Sequence, residues 1–330
     1  MATSLRAQSL DAQDAVGRPA AVATAVRLDA HGDPAADVPL DAALDRVNEG
    51  HLVVVRGALQ ALGVFDAMYA ATIETVARVA SPAVADAVRA EGVERLHRHL
   101  TARQLFDVLD ATTARFTPET GALVSGFARD LLGHRGPIYV GGKFWVRFFV
   151  PQDVYHVNRA LFATRPGHLE ILGPHRDSWF TTPTNAVTLW MAMGRVRRGN
   201  SMVVYPGVWG RPVARTTPTL PAPQHFGAPA VAELEPGDAL VFRGEHLHAS
   251  EINVTDETRY VLTVRFTASA PRYGEGFLWR PYTDLRLAGS ALAPLATLRS
   301  RLSRAWLRQR VFRTRSAIRY HVPLAARLGV

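Results

Sequence analysis

Apolar positions change their spacing partway along this chain. From Pro39 to about Gly136 they recur three and four apart, as in Phe65, Met68, Ala71, Ile73 and Val76, which predicts a helical layer interrupted by one short apolar strand, His51–Arg56. From Gly141 onward the texture becomes short β-rich runs over residues 143–150, 168–172, 185–193, 201–205, 239–242, 246–253 and 260–267. Turn residues separate these runs, for example Tyr205-Pro-Gly207 and Glu235-Pro-Gly-Asp238, a punctuation that predicts an antiparallel sandwich or jelly roll. The expected organisation is a loosely ordered arm over 1–38, a helical layer over 39–140, a β core over 141–268 and a C-terminal extension over 269–330, acting as one functional domain. The extension ends in an arginine-rich stretch of helical spacing, Leu298 to Tyr320, expected to pack over the barrel.

Composition narrows the chemistry. At 330 residues and 48% hydrophobic content the chain can bury a sizeable core. There is no apolar run near the roughly 18 to 20 residues that cross a bilayer and no basic-then-apolar leader, so a cytoplasmic location is expected. With no cysteine, disulfides, thiolate zinc sites, iron–sulfur clusters and cysteine nucleophiles are excluded, and any metal must use His, Asp or Glu. The net charge of +9 is compatible with an acidic partner, but it comes almost wholly from arginine, Lys143 being the only lysine, and nucleic-acid binding is not the favoured reading. Neither an internal repeat nor a glycine-rich phosphate loop is present.

One constellation supplies metal ligands. Gly173-Pro-His175-Arg-Asp177 is followed, 71 residues after Asp177, by His248 in a second β-like run. Two histidines and one carboxylate make a facial triad, which grips Fe(II) from one side and leaves positions open for a bidentate co-substrate and dioxygen. His-x-Asp alone is weak, since His31-Gly-Asp33 matches it too and is assigned no role. Strand periodicity places His175 and Asp177 on one face. The turn at Glu235–Asp238 enters an apolar strand ten residues before His248 and would deliver it to the barrel mouth; His246, on the same face, is the rival third ligand.

Around the triad, Arg259 lies eleven residues past His248, where a guanidinium could pair bidentately with the distal carboxylate of a dicarboxylate, and Ser250 shares the face of His248. Arg265 shares a face with Arg259 and could grip co-substrate or a substrate anion. Trp179, Phe180 and Trp209 could line an apolar substrate pocket, and Lys143, unique in an arginine-rich chain, is a further substrate candidate.

Taken together, His175-Arg-Asp177, Trp190-Met-Ala-Met193, Gly199-Asn-Ser-Met-Val-Val-Tyr-Pro-Gly207, Pro236-Gly-Asp238 and the segment from His248 through Ser250 and Asn253 to Arg259 resemble, in order and spacing, the phytanoyl-CoA dioxygenase family of Fe(II)/2-oxoglutarate oxygenases. The resemblance covers roughly residues 140 to 268. It implies an α+β fold with a double-stranded β-helix core, jelly-roll and cupin-like, flanked by helices mainly from the N-terminal half. It also implies His175, Asp177 and His248 as iron ligands, Arg259 and Ser250 as holders of 2-oxoglutarate, Trp190 as pocket lining, and Asn158 in the region where the family lines its co-substrate pocket. The implied reaction uses 2-oxoglutarate and O2 to hydroxylate a small or carrier-linked metabolite, releasing succinate and CO2. Two rival readings are a non-catalytic cupin-like ligand-binding barrel and an oxygenase of a macromolecule. Val208-Trp209 and Trp179-Phe180 depart from the family pattern and point away from phytanoyl-CoA itself.

Overall fold

The computed structural model describes residues 23–164, 167–180, 182–214, 220, 226–273 and 282–287. Twelve strands fall in two sheets: β1 (Thr24–Leu28), β2 (Pro34–Val38), β3 (Val53–Arg56), β4 (Tyr139–Gly141), β5 (Trp145–Phe149), β6 (Val187–Ala192), β7 (Met202–Val204), β8 (Ala230–Val231), β9 (Ala239–Arg243), β10 (His248–Ser250), β11 (Arg259–Thr267) and β12 (Tyr282–Asp284). The larger sheet runs β12-β4-β11-β6-β9-β3-β1-β2, with β5 also paired to β11, and the smaller runs β10-β7-β8. All of the pairings are antiparallel. This is the α+β, jelly-roll architecture that the sequence predicts.

Alternation along the strands sorts side chains between two cores. Tyr260, Leu262, Val264 and Phe266 of β11, Val146 and Phe148 of β5, and Leu189 and Met191 of β6 face outward. There they meet the helices Phe65–Val79 and Ala102–Phe116. These helices start and face as their sequences dictate. Thr101 and Gln104 form a reciprocal capping box at the start of Ala102–Phe116, and Met68, Ala71, Ile73 and Val76 form the buried stripe of Phe65–Val79. Thr72 Oγ1 lies 2.8 Å from Tyr260 Oη, tying that helix to β11. The opposite face of the large sheet meets the small one over Trp190, Ala192, Met202, Val204, Leu240, Phe242 and Val261, and this inter-sheet layer holds the site.

Three differences from the sequence reading have local causes. Within the stretch expected to be a loose arm, residues 24–38 form the hairpin β1–β2 and join the large sheet through β3, because Ala25 and Leu28 find buried places there. Its turn explains the false His-x-Asp motif: the Asp29 carboxylate accepts from the backbone N–H of His31 and of Asp33, and Gly32 at φ 92° completes the reversal. Residues 168–172 form no strand; their backbone supports β5 instead, Phe148 N–H donating to the His168 carbonyl at 3.0 Å. Part of the supposed extension belongs to the core sheet, since β12 pairs with β4 and Leu285 N–H donates to the Ile138 carbonyl. The stretch Leu298 to Tyr320 lies outside the described residues. Among the described residues no helix is long and apolar enough to cross a membrane.

Candidate active site

His175 and His248 are locked side by side through their backbones, each N–H donating to the other's carbonyl at 2.9 Å, so the segment before Asp177 extends the small sheet by one bridge. Asp177 N–H donates to the Gly244 carbonyl at 2.8 Å, and a Cβ at Gly244 would stand a tight 3.1 Å from that of Asp177, so the close approach favours glycine there. Asp177 is thus not on a strand, as the spacing had suggested, but opens a 3-10 turn, Asp177–Trp179, that aims its carboxylate back at the histidines.

The three side chains are buried and offer ligand atoms that all lie within 4.8 Å of one another. Each imidazole has Nδ1 against a carbonyl, His175 on Gly173 at 2.8 Å and His248 on His246 at 2.9 Å. A carbonyl can only accept, so Nδ1 carries the proton and Nε2 presents its lone pair to the centre. Nε2 of His175 and of His248 stand 3.9 and 3.8 Å from Asp177 Oδ1. Burial pushes both imidazoles below their ordinary range, the neutral state a metal ligand needs. Burial would push the Asp177 carboxyl up, but the Arg265 guanidinium, with His248 and His175, outweighs it and holds the carboxyl well below the usual range.

Arg265 grips Asp177 with two bonds, Nε to Oδ2 and Nη2 to Oδ1, both 2.7 Å, and Thr188 Oγ1 donates to Oδ2 at 3.0 Å. Arg265 is therefore a clamp on the ligand carboxylate. Arg259, 1% exposed, lies on the same inner face of β11 over the rings of Phe149, 4.1 Å away, and Trp190, 5.4 Å away. Its Nη1 donates to the Asn200 carbonyl at 2.8 Å, while Nε is buried without a partner. Burial and the neighbouring Arg147 push this guanidinium down to about 9. Asn253, five residues past His248, shapes the turn before β11 by donating to the Phe149 and Glu257 carbonyls and accepting from Thr255.

One cavity is lined by His175, His248, Thr188, Trp190, Ser250, Arg259, Thr263, Arg265 and Arg147, among others. The expected Trp190, Ser250 and Arg259 are there. The rings of Phe180 and His175 meet edge to face, 5.3 Å between their centres. Other expectations are corrected. Asn158 closes a helix joint by donating to the Val154 carbonyl and is absent from the cavity wall. Trp179 is consumed by a buried cluster with Leu220 and Leu247. Trp209 stacks on His246 at 4.3 Å, and His246 Nε2 sits 2.9 Å from the Gly50 carbonyl, which removes His246 as a ligand. Lys143 stands 4.1 Å over the Trp145 ring, outside the inner wall.

Sequence reading missed Arg147, Thr188 and Thr263. For Arg147 the signal was available: Phe144, Val146 and Phe148 take the outer face, so Trp145, Arg147 and Phe149 must face in.

The profile of the phytanoyl-CoA dioxygenase family matches residues 50–261. The chain belongs to this family. Together with the triad, membership places it among non-haem iron and 2-oxoglutarate-dependent oxygenases. The residues fit both groups: three ligand atoms converge as a facial triad, and the buried unpartnered Nε of Arg259 and hydroxyl of Thr263 are the donors a dicarboxylate would satisfy. Among solved structures, the chain is similar to the epimerase SnoN in complex with Fe3+, alpha ketoglutarate and nogalamycin RO, at 20% identity over 71% of this chain and 86% of that one, TM-score 0.40. It is also similar to the non-heme monooxygenase ThoJ, at 16% identity over 74% and 91%, TM-score 0.36, and to AviO1 from Streptomyces viridochromogenes, at 15% identity over 45% and 58%, TM-score 0.31. No curated protein matches the sequence.

Proposed function

We propose that this oxygenase hydroxylates a small or carrier-linked metabolite, with succinate and CO2 as co-products. The observation that carries the reading is the convergence of the His175–Asp177–His248 ligand atoms beside a cavity that both histidines line together with the partner-seeking guanidinium of Arg259. His175, Asp177 and His248 hold Fe(II); Arg259 takes the distal carboxylate of 2-oxoglutarate as a charge-assisted pair, with Ser250 beside it and Trp190 as the wall. When bound, iron and 2-oxoglutarate together supply the oxidising equivalent that activates O2 toward a substrate C–H bond.

The chain's own contribution is placement and exclusion. Reciprocal backbone bonds set His175 and His248 side by side, and the carbonyls of Gly173 and His246 on their Nδ1 atoms orient the two imidazoles. Arg265 and Thr188 orient Asp177, as outer partners of a ligand carboxylate do. Phe180 covers one edge of His175 and keeps bulk water from that side. Asp177 stands where a halide would have to coordinate, so halogenation is disfavoured.

The test is anaerobic binding of Fe(II) and 2-oxoglutarate, read by the visible charge-transfer band of their chelate, in wild type, Asp177→Ala and Arg259→Ala. A band weakened by both substitutions is expected. Its absence from wild type at saturating iron and 2-oxoglutarate would overturn the reading.

A further inference from the structure

Positive charge exceeds what the iron and 2-oxoglutarate reading consumes. Fe(II), Asp177, Arg259 and Arg265 together leave three positive charges, of which the two carboxylates of 2-oxoglutarate cancel two. Arg265 is already spoken for by Asp177 at 2.7 Å. Among the described residues no carboxylate pairs with Arg147, and the charges that reach it are those of Asp177 and of Arg265 and Arg259.

Arg147 sits on β5 opposite Val261, between Phe149 and Trp145, and lines the same cavity as His175 and His248. Its Nη1 donates to the Gly167 carbonyl at 2.6 Å, which fixes the side chain against the loop leading to His175, while Nε is buried with no partner. Holding a guanidinium there without a counter-ion is costly, so an anion is the expected occupant. Unlike Arg259 at 1% exposure, Arg147 is only half-buried, so its surroundings open outward. The flanking Trp145 is a flat surface, with the Lys143 ammonium 4.1 Å and the Arg265 guanidinium 5.8 Å from its ring centre and the His168 ring stacked on it at 4.8 Å.

We propose that Arg147 anchors an anionic group, a carboxylate or a phosphate, of the substrate to be oxidised, leaving Arg259 to the co-substrate. This rests on the iron and 2-oxoglutarate reading of the site. The substrate class is then an organic anion whose charged end meets Arg147 and whose body reaches the iron side of the cavity from there.

The experiment uses the intact protein loaded anaerobically with Fe(II), comparing wild type, Arg147→Gln, Arg147→Lys and Arg259→Gln. 2-Oxoglutarate is titrated through the chelate band; inorganic phosphate and acetate are then titrated against the preformed chelate, following perturbation of the same band. Arg147→Gln is expected to bind 2-oxoglutarate within about threefold of wild type, while Arg259→Gln loses about tenfold or more, and Arg147→Gln weakens the anion effect about tenfold with partial rescue in Arg147→Lys. A stronger response to phosphate supports a phosphorylated or phosphate-carried substrate, and a stronger response to acetate a carboxylic acid. The proposal is overturned if Arg147→Gln loses 2-oxoglutarate affinity as Arg259→Gln does, if the anions simply displace 2-oxoglutarate, or if neither anion perturbs the wild-type chelate. No chelate in wild type would instead sink the underlying reading and the proposal with it, a result separable from the others by the first titration.

Discussion

The two faces of β11 obey opposite rules within nine residues. Outward, Tyr260, Leu262, Val264 and Phe266 are fully buried against helices and sheet neighbours, with the one hydroxyl paired to Thr72. Inward, Arg259, Thr263 and Arg265 place two cations and a hydroxyl among the residues of the cavity, and two of the three carry a buried atom without a partner. The outer face is complete in the protein alone. The inner face becomes complete only with bound groups, which is how stability and function divide on one strand.

The largest expected break is on the inner face. Arg265→Met strips the clamp from buried Asp177 and should lower the unfolding free energy of the metal-free protein by about 3 to 5 kcal/mol, as removal of one partner of a buried ion pair does. Because iron binds only the folded state, adding Fe(II) should return part of that loss in urea unfolding. An unchanged metal-free stability would mean that the pair contributes orientation alone.

On the outer face, Leu262→Ala should cost about 2 to 5 kcal/mol by opening a cavity under the helices, yet leave 2-oxoglutarate affinity within about twofold when measured on the folded fraction. A parallel loss of affinity would show that the two faces are mechanically coupled.

His168 sharpens the comparison through pH. Burial pushes its imidazole down to about 4, below the 6.5 of an unfolded histidine, so the fold holds it neutral. As pH falls below 6.5 the unfolded chain gains a proton that the folded chain refuses. The stabilisation is intact above 6.5 and is lost progressively down to about 4, about 3 kcal/mol in all. Urea unfolding from pH 7 to pH 4 should show a shallower decline in His168→Gln; equal slopes would remove His168 as the cause.

The smallest effect is the most diagnostic. Thr263→Val replaces a buried hydroxyl without a partner by a methyl of similar size, and should leave metal-free stability unchanged or raise it by up to about 1 kcal/mol while weakening 2-oxoglutarate binding. The same swap at Thr72, whose hydroxyl is paired with Tyr260, should destabilise. Thermal unfolding of both variants distinguishes a face waiting for a ligand from one already satisfied.

Local spacing by itself determined the helix-then-strand order and singled out His175, Asp177, His248 and Arg259, although Asp177 reaches its place beside the histidines through a 3-10 turn and not through strand alternation. The β1–β2 hairpin was not legible, since its strands have too few apolar residues to show alternation and β1 gains its other partner from β3, 25 or more residues away. The fates of Trp179, Trp209, His246 and Asn158 were also hidden, because an aromatic or polar side chain near a ligand in sequence can turn either toward the cavity or into a neighbouring cluster, and only the contacts made at long range decide which. The tertiary structure alone decided that Arg265 closes on Asp177 and that Arg147 faces the same cavity with no carboxylate partner among the described residues, for charge balance is a property of groups gathered from segments 30 to 118 residues apart, not of any one of them.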